Sequence, residues 1–205
     1  MTGTAPGRTR SSAVRMPPGE RREQLLDVVL RVIVTQGVHK VSMDSVAKEA
    51  GVTRPVVYAH FTDRDDLLRA SLAREEAAAL KQMAAIMPEP GRGTPARAVI
   101  ASLAGFLAAV QEAPDRWRAI FTLVDSSTPV FRARLEQGRA AVLAAFEDVI
   151  RAGNPEPGTD VEVLARALHA LFWDAGRLVL AEPETFPPDR ILRFARDAVE
   201  RHLRS

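Results

Sequence analysis

The chain has 205 residues, 46% hydrophobic and 26% charged, with 28 basic against 26 acidic side chains, enough for one good core or two small ones in a soluble globular protein. It contains no cysteine, which excludes a disulfide framework and thiolate chemistry and fits a reducing compartment. No leading apolar segment is visible, and no apolar run nears the roughly 18 residues of a membrane span, so the expectation is a cytoplasmic protein with no membrane partner.

The basic character is N-terminal, since residues 1–22 carry Arg8, Arg10, Arg15, Arg21 and Arg22 against Glu20 alone. Residues 1–18 are Thr, Ser, Gly, Pro and Arg without any period, and cannot bury enough surface to offset the entropy of ordering. They read as a flexible basic arm, either a plain tail or one that touches DNA phosphates or a minor groove. Helical periodicity then begins. Leu25, Leu26, Val29 and Ile33 recur at three- and four-residue steps, and Gly37 stands where a helix C-terminal cap belongs.

The next stretch, VSMDSVAKEAGVTRPVVYAHFTDRDDLL at residues 41–68, holds two short helical patterns around one glycine. Ser42 is an N-cap for Met43 to Ala50, whose inward face is Val46, Ala47 and Ala50. Gly51 supplies the positive φ of a sharp turn. Thr53 is the second N-cap, Pro55 sits in the first turn where a missing N–H costs little, and Val52 staples onto Val57. Ala47 is small where the two helices cross, and Val46 and Val57 fill the wedge. This is the layout of a helix-turn-helix, whose second helix enters the DNA major groove.

On that second helix Val57 and Phe61 face inward, while Thr53, Arg54, Val56, Tyr58 and His60 face solvent. Arg54 suits a bidentate pair with guanine O6 and N7, and Val56 or the Thr53 methyl suits a thymine methyl. Ser42, Tyr58 and His60 suit phosphate oxygens, which fix position without reading sequence. Thr62 is expected to cap the following helix with Asp65 as its partner, Asp66 also favouring the positive helix end. Arg64 among them is expected to reach back to phosphate.

Further helices start near Asp63, Thr94, Pro114, Pro129, Asp160 and Pro188, residues that suit a first turn. They are separated by MPEPGRGTP, SSTP, AGNPEPGTD and AEPETFPP, and no alternating β-branched runs occur. The fold class is therefore all-α with about nine helices: an arm over 1–18, a three-helix DNA-binding domain over 19–66 and a larger helical domain over 67–205.

The segment MDSVAKEAGVTRPVVYAHFTDRDDLL, preceded by VTQGVHKVS, closely resembles the DNA-binding domain of the TetR family of bacterial transcriptional regulators, with Tyr58, His60 and Phe61 in the family's Tyr-x-His-Phe signature. The match covers about residues 20–70. It implies a homodimeric repressor that binds double-stranded DNA and whose C-terminal helices bind a small-molecule effector. It places Thr53, Arg54 and Val56 near bases and Ser42, Tyr58, His60 and Arg64 near phosphates. Arg64 stands where the family often has Lys, and Pro55 where it often has Gly.

In the helix from about Asp160 to Ala181, Val161, Leu164, Leu168, Leu171, Phe172, Ala175 and Val179 form one apolar stripe, with His169, Trp173, Gly176 and Leu180 beside it. So wide an arc needs two partners. Ala165, Leu168, Phe172, Ala175, Gly176 and Val179, with Ile191, Ala195, Ala198 and Val199 of the last helix, are the expected dimer interface, because the resemblance implies a four-helix bundle there. Burial within one chain is the competing reading. Phe106, Trp117, Phe121, Phe131, Phe146, His169 and Trp173 are the expected effector lining, and its few formal charges point to a lipophilic ligand.

An enzyme is not expected, and no cofactor, metal or catalytic residue is assigned. Ser45-x-x-Lys48 matches Ser-x-x-Lys, but no Lys-Thr-Gly or Ser-Asp-Asn accompanies it. Four histidines give no His-Glu-x-x-His, and Gly91-Arg92-Gly93 lacks the third glycine and preceding strand of a dinucleotide site. The alternative function is a helical partner-binding module without sequence-specific DNA binding, which would show none of the salt-dependent binding to duplex DNA that phosphate neutralisation imposes.

Overall fold

The computed structural model describes residues 17–88, 93–123 and 129–202. Among these are nine α-helices: α1 (Pro18–Gln36), α2 (Met43–Glu49), α3 (Arg54–Tyr58), α4 (Arg64–Ile86), α5 (Pro95–Glu112), α6 (Pro114–Leu123), α7 (Pro129–Ala152), α8 (Val161–Ala181) and α9 (Pro188–His202), with a 3-10 turn over Val38–Lys40. There is no strand among the described residues, and no single helix there is long and apolar enough to cross a membrane.

The starts follow local chemistry. Thr94 and Asp160 accept from the backbone N–H three residues on, and proline opens α1, α5, α6, α7 and α9 at a position where the helix has no use for its N–H. Two expectations shift. Pro17 is the N-cap of α1, so the helix begins at the last residue of the expected arm, whose residues 1–16 lie outside the described residues. The cap of α4 is Asp63 instead of Thr62, its carboxylate accepting from Asp66 N at 2.8 Å. The Thr62 N–H instead donates to the Asp66 carboxylate at 3.0 Å, so each end of the turn satisfies the other.

Two cores form. The first joins Leu25, Leu26, Val28, Val29, Val32 and Ile33 of α1 to Val46 and Ala47 of α2, Val57 of α3, Phe61 and Leu67. The second packs α5 against α6, α7, α8 and α9 around Leu103, Phe106, Leu107, Phe146, Phe172 and Val179. α4 runs through both: Leu67, Leu68 and Leu72 join the first core, while Ala79, Met83 and Ile86 join the second. α6 also serves both, because Ala119 packs with α1 while Trp117 and Ile120 face the other way.

The expected dimer stripe is taken up inside the chain. Ala165, Leu168, Phe172, Ala175, Gly176 and Val179 of α8 and Ile191, Ala195 and Val199 of α9 are buried in the second core, with Ala198 half-buried. The second partner that so wide an arc demanded is the chain's own α5, α6 and α7. The backbone at Gly176 passes so close to α5 and α6 that an added Cβ would lie 2.8 Å from Phe121 Cζ and 2.9 Å from Phe106 Cε1. What α8 and α9 leave outward is Val163, Ala167 and Ala170, at helical spacing, and Phe194; Val163 is 60% exposed and Phe194 63%.

Candidate functional site

The wedge of α2 and α3 is built as its residues dictate. Ser42 and Ser45 form a reciprocal cap: Ser45 N donates to Ser42 Oγ at 3.0 Å, and Ser42 N donates to Ser45 Oγ at 2.9 Å. Gly51 turns the chain at φ +66°, and Val46 and Val57 are fully buried between the helices. Thr53 holds the N-cap position of α3 but makes no side-chain cap bond. Pro55 has no N–H to give, and Val56 N donates to the Thr53 carbonyl at 3.0 Å. The Thr53 hydroxyl and methyl consequently stand on an exposed surface with no partner among the described residues.

α3 is pinned through Val57 and Phe61, and Arg22 of α1 lies over the Phe61 ring at 5.2 Å. Its other side carries exposed Thr53, Arg54 and Tyr58 (47% exposed), with Val56 and His60 half-buried at the margins. Arg54 does not dangle. Its Nε meets Asp44 Oδ1 at 2.8 Å, its Nη2 donates to the Tyr58 hydroxyl at 3.4 Å, and its guanidinium lies 5.8 Å from the Tyr58 ring centroid. The hydrogen bond to Tyr58, and secondly the Asp44 charge, raise the Arg54 pKa further above its ordinary value.

Arg64 departs from expectation. Its Nε donates to the Val41 carbonyl at 2.8 Å and its Nη2 to the Val38 carbonyl at 3.3 Å, so it ties the start of α4 to the loop before α2 instead of reaching toward a phosphate. Ser42 is half-buried and its oxygen is engaged by the cap. Two further residues escaped the sequence reading. Asp44, ten positions from Arg54, gives no periodic signal. Glu75 of α4, its side chain 5% exposed, takes Arg74 at 2.6 Å and Arg116 of α6 at 2.9 Å. Arg74 also reaches Glu23 and Asp27 of α1, at 3.0 and 2.8 Å. A carboxylate between two arginines thus joins α1, α4 and α6, beside an open cleft of about 370 Å3 lined by Asp27, Leu30 and residues 113–116.

In the second core the expected effector residues form one continuous chain of rings. His169 stacks on Trp173 (6.1 Å), Trp173 meets Phe121 edge-on (4.8 Å), and Phe121 leads to Trp117 (5.9 Å). Trp117 meets Phe106 edge-on (5.1 Å), and Phe172, which the sequence reading had assigned to a dimer face, joins Phe106 to Phe146. The Phe131 side chain lies outside the described residues. The Trp117 Nε1–H is buried with no acceptor among the described residues, at a desolvation cost of about 1–3 kcal/mol. Burial first, and the nearby Arg139 second, lower the His169 pKa, with Glu136 opposing, so the surroundings favour the neutral imidazole.

Residues 25–71 match the family model described as bacterial regulatory proteins, tetR family. The chain is 45% identical over 60 residues to the HTH-type transcriptional activator FasR of Mycolicibacterium smegmatis, covering 29% of this chain and 27% of FasR. It is 50% identical over 48 residues to the HTH-type transcriptional regulator AcrR of Shigella flexneri, covering 23% and 22%. The match thus spans about a quarter of each relative's length. A TetR-like transcriptional regulator from Rhodococcus sp. RHA1 shares the fold over 91% of this chain and 97% of that one, with a TM-score of 0.74 at 22% identity.

Proposed function

We propose, from the match of residues 25–71, that the chain is a member of the TetR family of bacterial regulatory proteins and a cytoplasmic, ligand-responsive transcriptional regulator. It acts as a homodimeric repressor that binds an inverted-repeat operator in duplex DNA and releases it when a small lipophilic effector enters the C-terminal helices. The observation that carries the reading is α3. It is held from behind by Val57 and Phe61 and presents Thr53, Arg54 and Tyr58 on a surface with no other occupant among the described residues.

One helix of five residues reads too few base pairs, whereas two carried on a twofold axis read half-sites about one helical turn, roughly 34–36 Å, apart. The twofold contact uses the outward face of α8 and α9, with Val163, Ala167, Ala170 and Phe194 replacing the buried stripe of the sequence reading. The effector opens the ring chain and offers an acceptor to Trp117 Nε1–H. Effector binding releases DNA to the extent that the effector prefers the arrangement in which the α3 spacing no longer fits. Occupying an operator occludes it, so repression is the sign assigned; FasR carries the name of an activator, and the position of the operator decides which sign a given promoter sees.

The test is selection from a randomised duplex library at near-physiological salt. Enrichment of an inverted repeat, with affinity falling steeply as salt rises, is the expected result. Absence of any enriched site, both for the protein as purified and after unfolding and refolding to strip copurified ligand, overturns the reading in favour of a helical partner-binding module.

A further inference from the structure

We propose that Asp44, on α2, is a positioning residue that sets which edge of Arg54 reads the DNA and thereby creates a guanine preference. The inference rests on the regulator reading above. An exposed arginine samples many rotamers, and a bidentate pair with guanine O6 and N7 needs its guanidinium plane fixed. Here the plane is held from two sides. Asp44 Oδ1 takes the Nε edge at 2.8 Å, and Tyr58 supports Nη2 through its hydroxyl at 3.4 Å while its ring lies below, 5.8 Å from the guanidinium carbon. Nη1, and the second proton of Nη2, have no other partner among the described residues. These two nitrogens form the end-on fork that faces outward.

The charge balance makes a purely stabilising role for this pair a poor account. Both side chains are more than half exposed, 56% for Arg54 and 64% for Asp44, and such pairs add little to folding. A carboxylate at a DNA-facing surface also repels phosphate. It therefore lowers binding to every sequence, and raises specificity only if it holds Arg54 in a form that one base satisfies. Asp44 does lie in the first turn of α2, where a negative charge suits the helix end. That role predicts an effect on stability and none on base preference, so the two separate cleanly.

The experiment compares the full-length wild type, Asp44→Ala, Asp44→Asn and Arg54→Ala in the same library selection, followed by titration of the selected operator, its guanine variants and an unrelated duplex. Urea unfolding of each variant establishes that it folds. Asp44→Ala is expected to reduce discrimination at one guanine position by about three- to tenfold, a fraction of what a good bidentate pair supplies. Binding to the unrelated duplex tightens by a few-fold as one negative charge leaves the surface. Asp44→Asn, which keeps an acceptor oxygen, is expected to retain part of the discrimination. In an Arg54→Ala background, Asp44→Ala changes the base profile no further, because the two act as a unit. An unchanged profile in Asp44→Ala, or a loss spread evenly over all positions and over the unrelated duplex, overturns the assignment while leaving DNA recognition intact. Failure of the wild type to select any site overturns the regulator reading itself, and this inference with it.

Discussion

Replacing Glu75 by glutamine cuts the ionic bridge between α1, α4 and α6 while keeping the shape of the side chain. Glu75 is 5% exposed and accepts from Arg74 at 2.6 Å and Arg116 at 2.9 Å. Breaking a buried pair by removing one partner costs about 3–5 kcal/mol. Two features reduce that here: Arg74 keeps Glu23 and Asp27, and the guanidinium-bearing side chains are 25% and 23% exposed, so water reaches them. Among the described residues Arg116 keeps only Gln82, at 3.3 Å. The expected loss is about 2–3 kcal/mol. Urea unfolding at fixed protein concentration measures it, in a cycle with Arg116→Met, where the double variant is expected to lose less than the sum of the singles because the orphaned cation is gone. A Glu75→Gln loss under about 0.5 kcal/mol, or additive singles, refutes the claim that this carboxylate ties α1, α4 and α6 together.

Gly176→Ala places a Cβ 2.8 Å from Phe121 and 2.9 Å from Phe106 and is expected to cost about 1–3 kcal/mol by overpacking, with a shift in tryptophan emission as the rings move. Because the folded-state pKa of His169 is lowered, the folded state takes up a proton less readily than the unfolded one. Its contribution is therefore intact above the unfolded value of about 6.5 and is lost as pH falls from there toward the folded value. His169→Gln is expected to flatten the stability profile in that window, and an identical profile in both proteins counts against the assignment. Phe194→Glu, made on a side chain 63% exposed, should leave the fold unchanged and yield a monomer by light scattering that no longer holds an inverted repeat. Arg54→Ala should cost about 1–3 kcal/mol of operator affinity and relax one base preference, as read by titration.

Much of this was legible in the residues, and the reason is local. Pro114, Pro129 and Pro188, with caps at Thr94 and Asp160, mark helix starts because each satisfies or dispenses with a backbone donor within three residues. Phe106, Trp117, Phe121, Phe146, His169 and Trp173 were legible as a group from size and type alone. What escaped depends on partners distant in sequence. The α8 stripe gave its width correctly, but periodicity does not distinguish a neighbouring helix from a second copy, and α5, α6 and α7 had the prior claim. Arg64 looked free because its acceptors, the carbonyls of Val38 and Val41, belong to a turn whose path no pattern records. Glu75 and Arg116 lie 41 residues apart, and Asp44 meets Arg54 only because Gly51 brings α2 and α3 to their crossing.

The ring chain has an optical consequence. The protein has two tryptophans and one tyrosine. Both tryptophans, Trp117 and Trp173, belong to the ring chain, whereas Tyr58 stands alone on α3 beneath Arg54. The two ends of the molecule thus carry different intrinsic chromophores without any label. Red-edge excitation, which tryptophan alone absorbs, follows events among the rings, and the tyrosine contribution follows events at α3. On the function proposed above, titrating one unmodified sample with operator and another with a lipophilic compound compares the two ends, and a change at the rings on adding operator, or at Tyr58 on adding the compound, measures their coupling.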